Sequence, residues 1–375
     1  MRILIVSGIW PPDVGGPASH APELAEFLHA RGHRVEVLTT AGTRPAPDAY
    51  PVRWISRRLP ALLRYAWGAV LSARGARNAD VVYSTGMIGR TRVGALVGRA
   101  PRVIKLTGDP AYERAIRYGA TNLPLDAFQR APGFRVAALR AMRDVMLSGA
   151  RAYVCPSESL RRLASRWQLV DAERIVVLPN PVAVGPLGDR DELRRRHGFR
   201  GPTLVAAGRL VLQKALDVAL EALARHEGIE LVIAGDGPER SRLERLVREL
   251  GVEERVRLLG ARPRRTVFEL LAAADAVVLS SDWENFPHAV VEALAVGTPV
   301  IATDVGGVGE IVRDGVNGLL VPPHDPAALA EAIRRFFADA ELRARLRSAA
   351  PGSVADFAPE RVYERLESLL EQAAR

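Results

Sequence analysis

At 375 residues the chain is too long for one ordinary hydrophobic core, and with domains running to ~100–200 residues two are expected. A composition 48% hydrophobic and 25% charged excludes a disordered chain, and a single cysteine, Cys155, excludes an internal disulfide framework. The net charge of +9 is uneven: residues 1–181 carry 26 Lys and Arg against 13 Asp and Glu, a surplus of 13, whereas the remainder carries 26 against 30.

The apolar run 2–7 is followed by Pro11-Pro12 and no small-residue cleavage site, so it reads as a first strand and not as a signal peptide. Further strands are expected at 35–40, 81–84, 103–106, 152–156 and 175–178, each a β-branched or apolar run. Residues 18–30, 61–76 and 133–148 place apolar side chains at i, i+3 and i+4, the spacing of helices. The alternation pauses from Pro179-Asn180-Pro181 to Gly188, which sets a boundary: 1–180 forms a first domain and 181–357 a second. In the second, strands are expected at 203–207, 230–234, 256–259, 276–280, 300–303 and 318–321. Helices are expected at 215–224, 239–250, 266–273 and 288–295, with a short one at 309–312. Asp325-Pro326 reads as a cap and first turn opening 327–338, and helices run to the end. Strands alternating with helices throughout imply α/β architecture: two Rossmann-like, doubly wound parallel sheets, with chemistry in the loops after strands and a cleft between the domains.

Four such loops stand out. Gly15 and Gly16 follow the first strand and precede a helix, which suits either a phosphate or a tight turn. After strand 203–207 come Gly208 and Arg209, whose planar fork matches phosphate oxygens, with Lys214 adding a second charge before the next helix; together they suit a diphosphate. Gly235-Asp236-Gly237-Pro238 follows the next strand and fits a ligand-facing backbone or a plain turn. Glu284-Asn285-Phe286-Pro287 precedes a helix that carries Glu292 in an apolar run. A carboxylate there is costly unless partnered, and two carboxylates can accept hydrogen bonds from the hydroxyls of a sugar and a ribose.

Gly208-Arg209-Leu210 with Gln213-Lys214, the glycine loop at 234–238, and Glu284 and Glu292 separated by seven residues and followed by Gly297-Thr298-Pro299 resemble the retaining glycosyltransferases of family 4 (glycosyl transferases group 1), with the GT-B fold. The resemblance covers essentially the whole chain. It implies transfer of a hexose-type sugar from a nucleotide-diphosphate sugar to the hydroxyl of a glycan, glycolipid or small molecule. It also implies retention by front-face attack with no protein nucleophile, and no metal or other cofactor. Arg209 and Lys214 would neutralise the departing diphosphate, Glu284 would contact the transferred sugar, and Glu292 would hold the ribose. The backbone of Asn285, Phe286 and Pro287 would meet sugar and phosphate, as would Gly208 and Gly237, with Gly15 and Gly16 approaching from the first domain. The loop at Arg262 would cradle the base, and helix 358–375 would return to the first domain. Many members carry a histidine facing the donor sugar; here the corresponding stretch is 105–110, where Asp109 either contacts sugar or acceptor or caps the next turn. His20, on a predicted helix, reads as packing.

The GT-B fold also supports sugar-nucleotide epimerases and phosphorylases, but only Lys105 and Lys214 are present, which leaves little room for a pyridoxal-phosphate lysine. A silent anion-binding or membrane-binding module is the alternative from another class. No apolar stretch approaches the ~20 residues of a membrane span, so a cytoplasmic protein is expected, with any membrane contact peripheral and from the inner face. The basic first half suits an anionic membrane or acceptor, or an arginine-rich coding bias. Nucleic acid is the weakest partner, because aromatics are only 6% and no binding motif is present.

Overall fold

The structure, a computed structural model, describes residues 1–13 and 16–375, without the side chains of 16–19. The chain forms two compact units, Met1–Pro179 with Glu360–Arg375, and Asn180–Pro359.

The first unit holds strands β1 (Arg2–Ser7), β2 (Arg34–Ala41), β3 (Val52–Ser56), β4 (Val81–Ser84), β5 (Arg102–Lys105), β6 (Ala152–Cys155) and β7 (Ile175–Val177). All pair in parallel in the order β3-β2-β1-β4-β5-β6-β7. Its helices are α1 (Gly16–Ala30), α2 (Ala61–Asn78), α3 (Ile88–Gly98), α4 (Pro110–Arg117), α5 (Leu125–Phe128), α6 (Phe134–Leu147) and α7 (Glu158–Ala164). Parallel strands are covered on both faces, which is why β1 reads as an unbroken apolar run. Ile3 and Ile5 pack on one face with Leu24 and Leu28 of α1, while Leu4 and Val6 pack on the other with Ala76 of α2, the period of two that a pleated strand dictates.

The second unit holds β8 (Thr203–Ala207), β9 (Glu230–Ala234), β10 (Val256–Gly260), β11 (Ala276–Leu279), β12 (Val300–Thr303) and β13 (Gly318–Val321), again all parallel, in the order β10-β9-β8-β11-β12-β13. Around them lie α8 (Arg190–His197), α9 (Leu216–Ala224), α10 (Arg240–Glu249), α11 (Arg264–Ala273), α12 (His288–Ala295), α13 (Pro326–Ala338) and α14 (Ala340–Ser353). The last helix, α15 (Pro359–Ala374), belongs to the first unit from Glu360 onward. There Leu366 and Leu370 join the core of β1 and α1, and Glu367 pairs with His33 Nε2 at 2.7 Å.

The expected helix at 309–312 is instead a series of turns: Val308 N bonds Val305 O, and Ile311 N and Val312 N both bond Val308 O. Glycines at 306, 307 and 309 make a continuous helix too costly in backbone entropy. In both units the strand order reverses direction beside the first strand, between β1 and β4 and between β8 and β11. Such switch points open a crevice at the carboxyl edge of a sheet.

Candidate functional site

The crevice of the second unit lies where β8 and β11 end. Gly208, next after β8, adopts φ +146, a region open to glycine, and its N–H donates to Ala234 O at 3.0 Å. Arg209 is exposed, and no carboxylate pairs with it among the described residues. Lys214, one residue before the buried Ala215, donates through Nζ to Glu284 Oε1 at 2.5 Å, and Ser281 Oγ donates to the same oxygen at 2.7 Å. The two loops are also joined through the backbone. Gln213 Nε2 donates to Trp283 O at 2.8 Å, Asp282 N to Gln213 O at 2.9 Å, and Ser280 Oγ to Lys214 O at 3.0 Å. Glu284 is 7% exposed, and its Oε2 receives no hydrogen bond among the described residues. The result is a cation, Arg209, without a protein counter-ion beside a lysine–glutamate pair with one carboxylate oxygen open.

Glu292 follows on α12, and its environment is different. Burial pushes its carboxyl above the ordinary carboxylate range, Arg264 opposes this only from 3.8 Å, and no hydrogen bond reaches the carboxylate among the described residues. Arg264 comes from the first turn of α11, which brings the loop after β10 towards α12; Arg262 lies exposed in that loop, two residues earlier. Phe286 is buried against His288 and Phe357, and Pro287 sits at the cap position of α12, where its own side chain can accept no hydrogen bond from the first helical N–H groups.

Three glycines set these loops by close approach. A Cβ on Gly235 would stand 1.7 Å from Gly208 O, one on Gly237 2.2 Å from Leu210 O, and one on Gly306 1.9 Å from Glu284 O. Gly237 therefore abuts the neighbouring loop, and its N–H donates to Asp236 Oδ1 at 2.8 Å. Of the residues that the sequence reading assigned to the donor, Lys214 and Glu284 come into contact, with Gly208 and Arg209 on the same loop as Lys214. Ser281, Gln213, Arg264 and Gly306 were not assigned roles; only the Gly306-Gly307 pair in a loop after a strand carried a local signal.

In the first unit, Gly15 lies outside the described residues and Gly16 opens α1. Asp109 takes the capping role of its two readings. Its side chain is fully buried, Oδ1 accepts from Ala111 N and Tyr112 N at the start of α4, and Oδ2 accepts from Gln129 Nε2 and Arg143 Nη1, both at 2.8 Å. Both oxygens thus face protein donors, which is the physical reason against a sugar contact. His20 Nε2 meets the Tyr83 hydroxyl at 2.9 Å. Lys105, 4% exposed at the end of β5, is pushed down to about 8 by burial, with the Cys155 thiol opposing. Among the described residues one group of potential metal ligands, His33, Glu367 and Glu371, lies together, just before β2 and on α15 and not in these loops.

Two family patterns cover this architecture, glycosyl transferases group 1 over residues 189–352 and the glycosyl transferase 4-like domain over residues 15–181. The second unit thus carries the pattern of the glycosyl transferases group 1 family and the first that of the glycosyl transferase 4-like domain. The group 1 match spans all the loops from Gly208 to Glu292. An uncharacterised glycosyltransferase of Methanocaldococcus jannaschii is 29% identical over 364 residues, 90% of each chain. A lipopolysaccharide core biosynthesis glycosyltransferase of Rhizobium meliloti is 38% identical over 172 residues, 46% of this chain and 50% of that one. The chain spans about half or less of the length of the curated relatives that it matches at 34–42% identity. An Anabaena protein solved in complex with UDP-glucose superposes with a TM-score of 0.78 at 21% identity, covering 99% of this chain and 100% of that one. The fold is GT-B, as in glycosyltransferases.

Proposed function

We propose that the chain is a retaining glycosyltransferase that takes a hexose-type sugar from a nucleoside-diphosphate sugar, held by the second unit, and passes it to an acceptor hydroxyl. The observation that carries this reading is the crevice between β8 and β11, where Arg209 lacks a protein counter-ion among the described residues and Lys214 is clasped to Glu284, together with the half-buried Glu292 of the following helix, which no hydrogen bond reaches among the described residues. A diphosphate supplies the charge that Arg209 lacks, and ribose hydroxyls supply the donors that the Glu292 carboxylate lacks. Glu284, oriented by Lys214 and Ser281, offers Oε2 to a hydroxyl of the donor sugar. Negative charge grows on the diphosphate as the glycosidic bond breaks, and Arg209 and Lys214 are arranged to stabilise it without reorganising. Two cations at the leaving group, Lys214 held by Glu284 and Arg209 beside it, do the electrostatic work that a divalent metal does elsewhere, so turnover without metal belongs to the proposal. The acceptor hydroxyl attacks the face from which the diphosphate leaves and loses its proton towards a phosphate oxygen, so no protein nucleophile is required. The Anabaena relative bound to UDP-glucose supports a nucleotide-sugar donor.

The test is a panel of UDP-, GDP- and ADP-sugars in EDTA. One of them should raise the melting temperature and slowly release nucleoside diphosphate. Neither effect with any donor would overturn the reading.

A further inference from the structure

The first unit has its own switch-point crevice, between β1 and β4, which holds none of the residues proposed to bind the donor. A cavity of about 440 Å³ opens there, floored by Gly8 and Gly86 and walled by Arg57, Arg64, Arg90 and Arg114. Arg57 is matched by Asp13 at 2.9 Å, and Arg143, also on the wall, by Asp109 and Asp144, each at 2.8 Å. The other three have no carboxylate among the described residues. Arg64 Nη1 donates to Arg57 O, Arg90 lies over the Tyr65 ring at 5.6 Å, and Arg114 Nη1 reaches only the Met142 sulfur. Residues 14–19, whose side chains are not described, include no acid. Burial and then the charge of Arg64 push the Arg90 guanidinium below its ordinary range, as expected where like charges share a pocket with no anion between them.

The wall continues into an unusual surface. Helices ordinarily bury their large apolar side chains, but α2 buries Gly68, Ser72, Gly75 and Ala76 and exposes Leu62 (86%), Leu63 (60%), Trp67 (48%) and Val70 (42%). Helix α3 follows suit, burying Thr91 and Gly94 and exposing Leu96 (63%) and Val97. The small residues let the two backbones approach closely: a Cβ on Gly94 would fall 2.3 Å from Ser72 Oγ, and one on Gly98 2.6 Å from the Ala76 Cβ. Both helices begin at the carboxyl edge of the sheet, so Leu62 and Leu63 flank Arg64 and Tyr65 of the cavity wall. From residue 49 to 108 the sequence has 11 Lys and Arg and one acid, Asp80, which pairs with Arg2 below the opposite edge of the sheet.

We infer that the α2–α3 face docks on an anionic membrane and that the arginine-walled cavity beside it takes the phosphate of a membrane lipid. Leucine, tryptophan and valine exposed among arginines match the headgroup boundary of a bilayer, where apolar side chains enter the acyl region and guanidiniums bind phosphate. Charge complementarity selects the occupant, since a surface almost free of carboxylates attracts anionic lipid. A nucleic acid would leave Leu62, Leu63 and Trp67 in water. The inference does not depend on the nucleotide-sugar reading, and its test uses no donor.

The measurement is flotation of the whole protein with phosphatidylcholine vesicles, with and without phosphatidic acid. Binding should be at least about tenfold stronger with phosphatidic acid and should fall as salt is raised. Leu62→Glu with Trp67→Glu should abolish it, and Arg64→Gln with Arg90→Gln should reduce it about tenfold while leaving the melting temperature within a few degrees. The single change Leu62→Glu, at a side chain 86% exposed, keeps the test decisive if the double variants unfold, and alone should weaken binding several-fold. Equal binding to both vesicles, binding untouched by these changes, or preference for duplex DNA over phosphatidic acid vesicles would each overturn the inference. So would saturation by inorganic phosphate with no vesicle binding.

Discussion

Replacing Lys214 with alanine separates two things that this side chain does. In the resting protein its ammonium sits 2.5 Å from a Glu284 oxygen that is 7% exposed, a gross attraction of about 7 kcal/mol at an effective dielectric near 20, much of it offset by desolvation of both groups. With Lys214 gone, Glu284 keeps only Ser281 Oγ at 2.7 Å, and an under-partnered buried carboxylate costs about 2 kcal/mol of stability. In turnover the loss is one fixed cation at the departing diphosphate, about 3 kcal/mol or a factor of ~10² to 10³ in kcat. The double variant Lys214→Ala, Glu284→Ala tells these apart: it should recover most of the melting temperature, because no orphaned carboxylate remains, and none of the turnover. The assay is initial-rate release of nucleoside diphosphate in EDTA alongside thermal melting of both variants. If Lys214→Ala keeps turnover within tenfold of the wild type, the cation is not at the leaving group and the assignment of the crevice fails.

Asp109→Asn breaks a buried ion pair with Arg143 and should cost about 3 kcal/mol in thermal melting while turnover of the folded fraction stays near normal; lost turnover at an unchanged melting temperature would restore a substrate contact. Lys105→Met should stabilise the protein at pH 7. The fall of Lys105 from 10.5 to about 8 on folding corresponds to roughly 3 kcal/mol, a cost complete below pH 8 and absent above 10.5. The stability difference between variant and wild type should therefore shrink as pH rises through that window, and a constant difference would refute the burial argument. Glu292→Gln should also stabilise the ligand-free protein at neutral pH. The raised carboxyl costs stability as pH rises through its folded value, so the gain should vanish in acid, while donor KM should rise about tenfold from loss of a charged acceptor. An unchanged KM would remove Glu292 from the donor site.

The sequence is most legible where parallel strands are covered on both faces. Runs such as Leu204–Ala206 and Val277–Leu279 have no polar alternative to a buried strand, and their loops could be searched directly. Strand β3 was missed because it lies at the sheet edge and interrupts its apolar residues with Arg53. Helix α3 was missed for a tertiary reason. Three glycines and a threonine suppress its apolar periodicity, and the helix forms because those small residues allow it against α2. At the candidate site, Arg209 and Lys214 were legible from their place after a strand. The contact of Lys214 with Glu284, 70 residues away, depends on β8 and β11 being neighbours in the sheet, which no local pattern encodes. Asp109 remained ambiguous for the same reason: its partners Gln129 and Arg143 lie 20 and 34 residues downstream.

The close contacts of Gly235, Gly237 and Gly306 with the carbonyls of neighbouring loops have a bearing on redesign. At these three contacts the loops meet main chain to main chain, so beyond the side-chain bonds of Gln213, Lys214, Ser280 and Ser281 their course depends little on which side chains they carry. Arg262 and its neighbours could then be randomised in a search for new donor preferences while the crevice keeps its shape. The three glycines should be held fixed in any such library, since a methyl group at one of them would move the frame on which every other substitution is being compared.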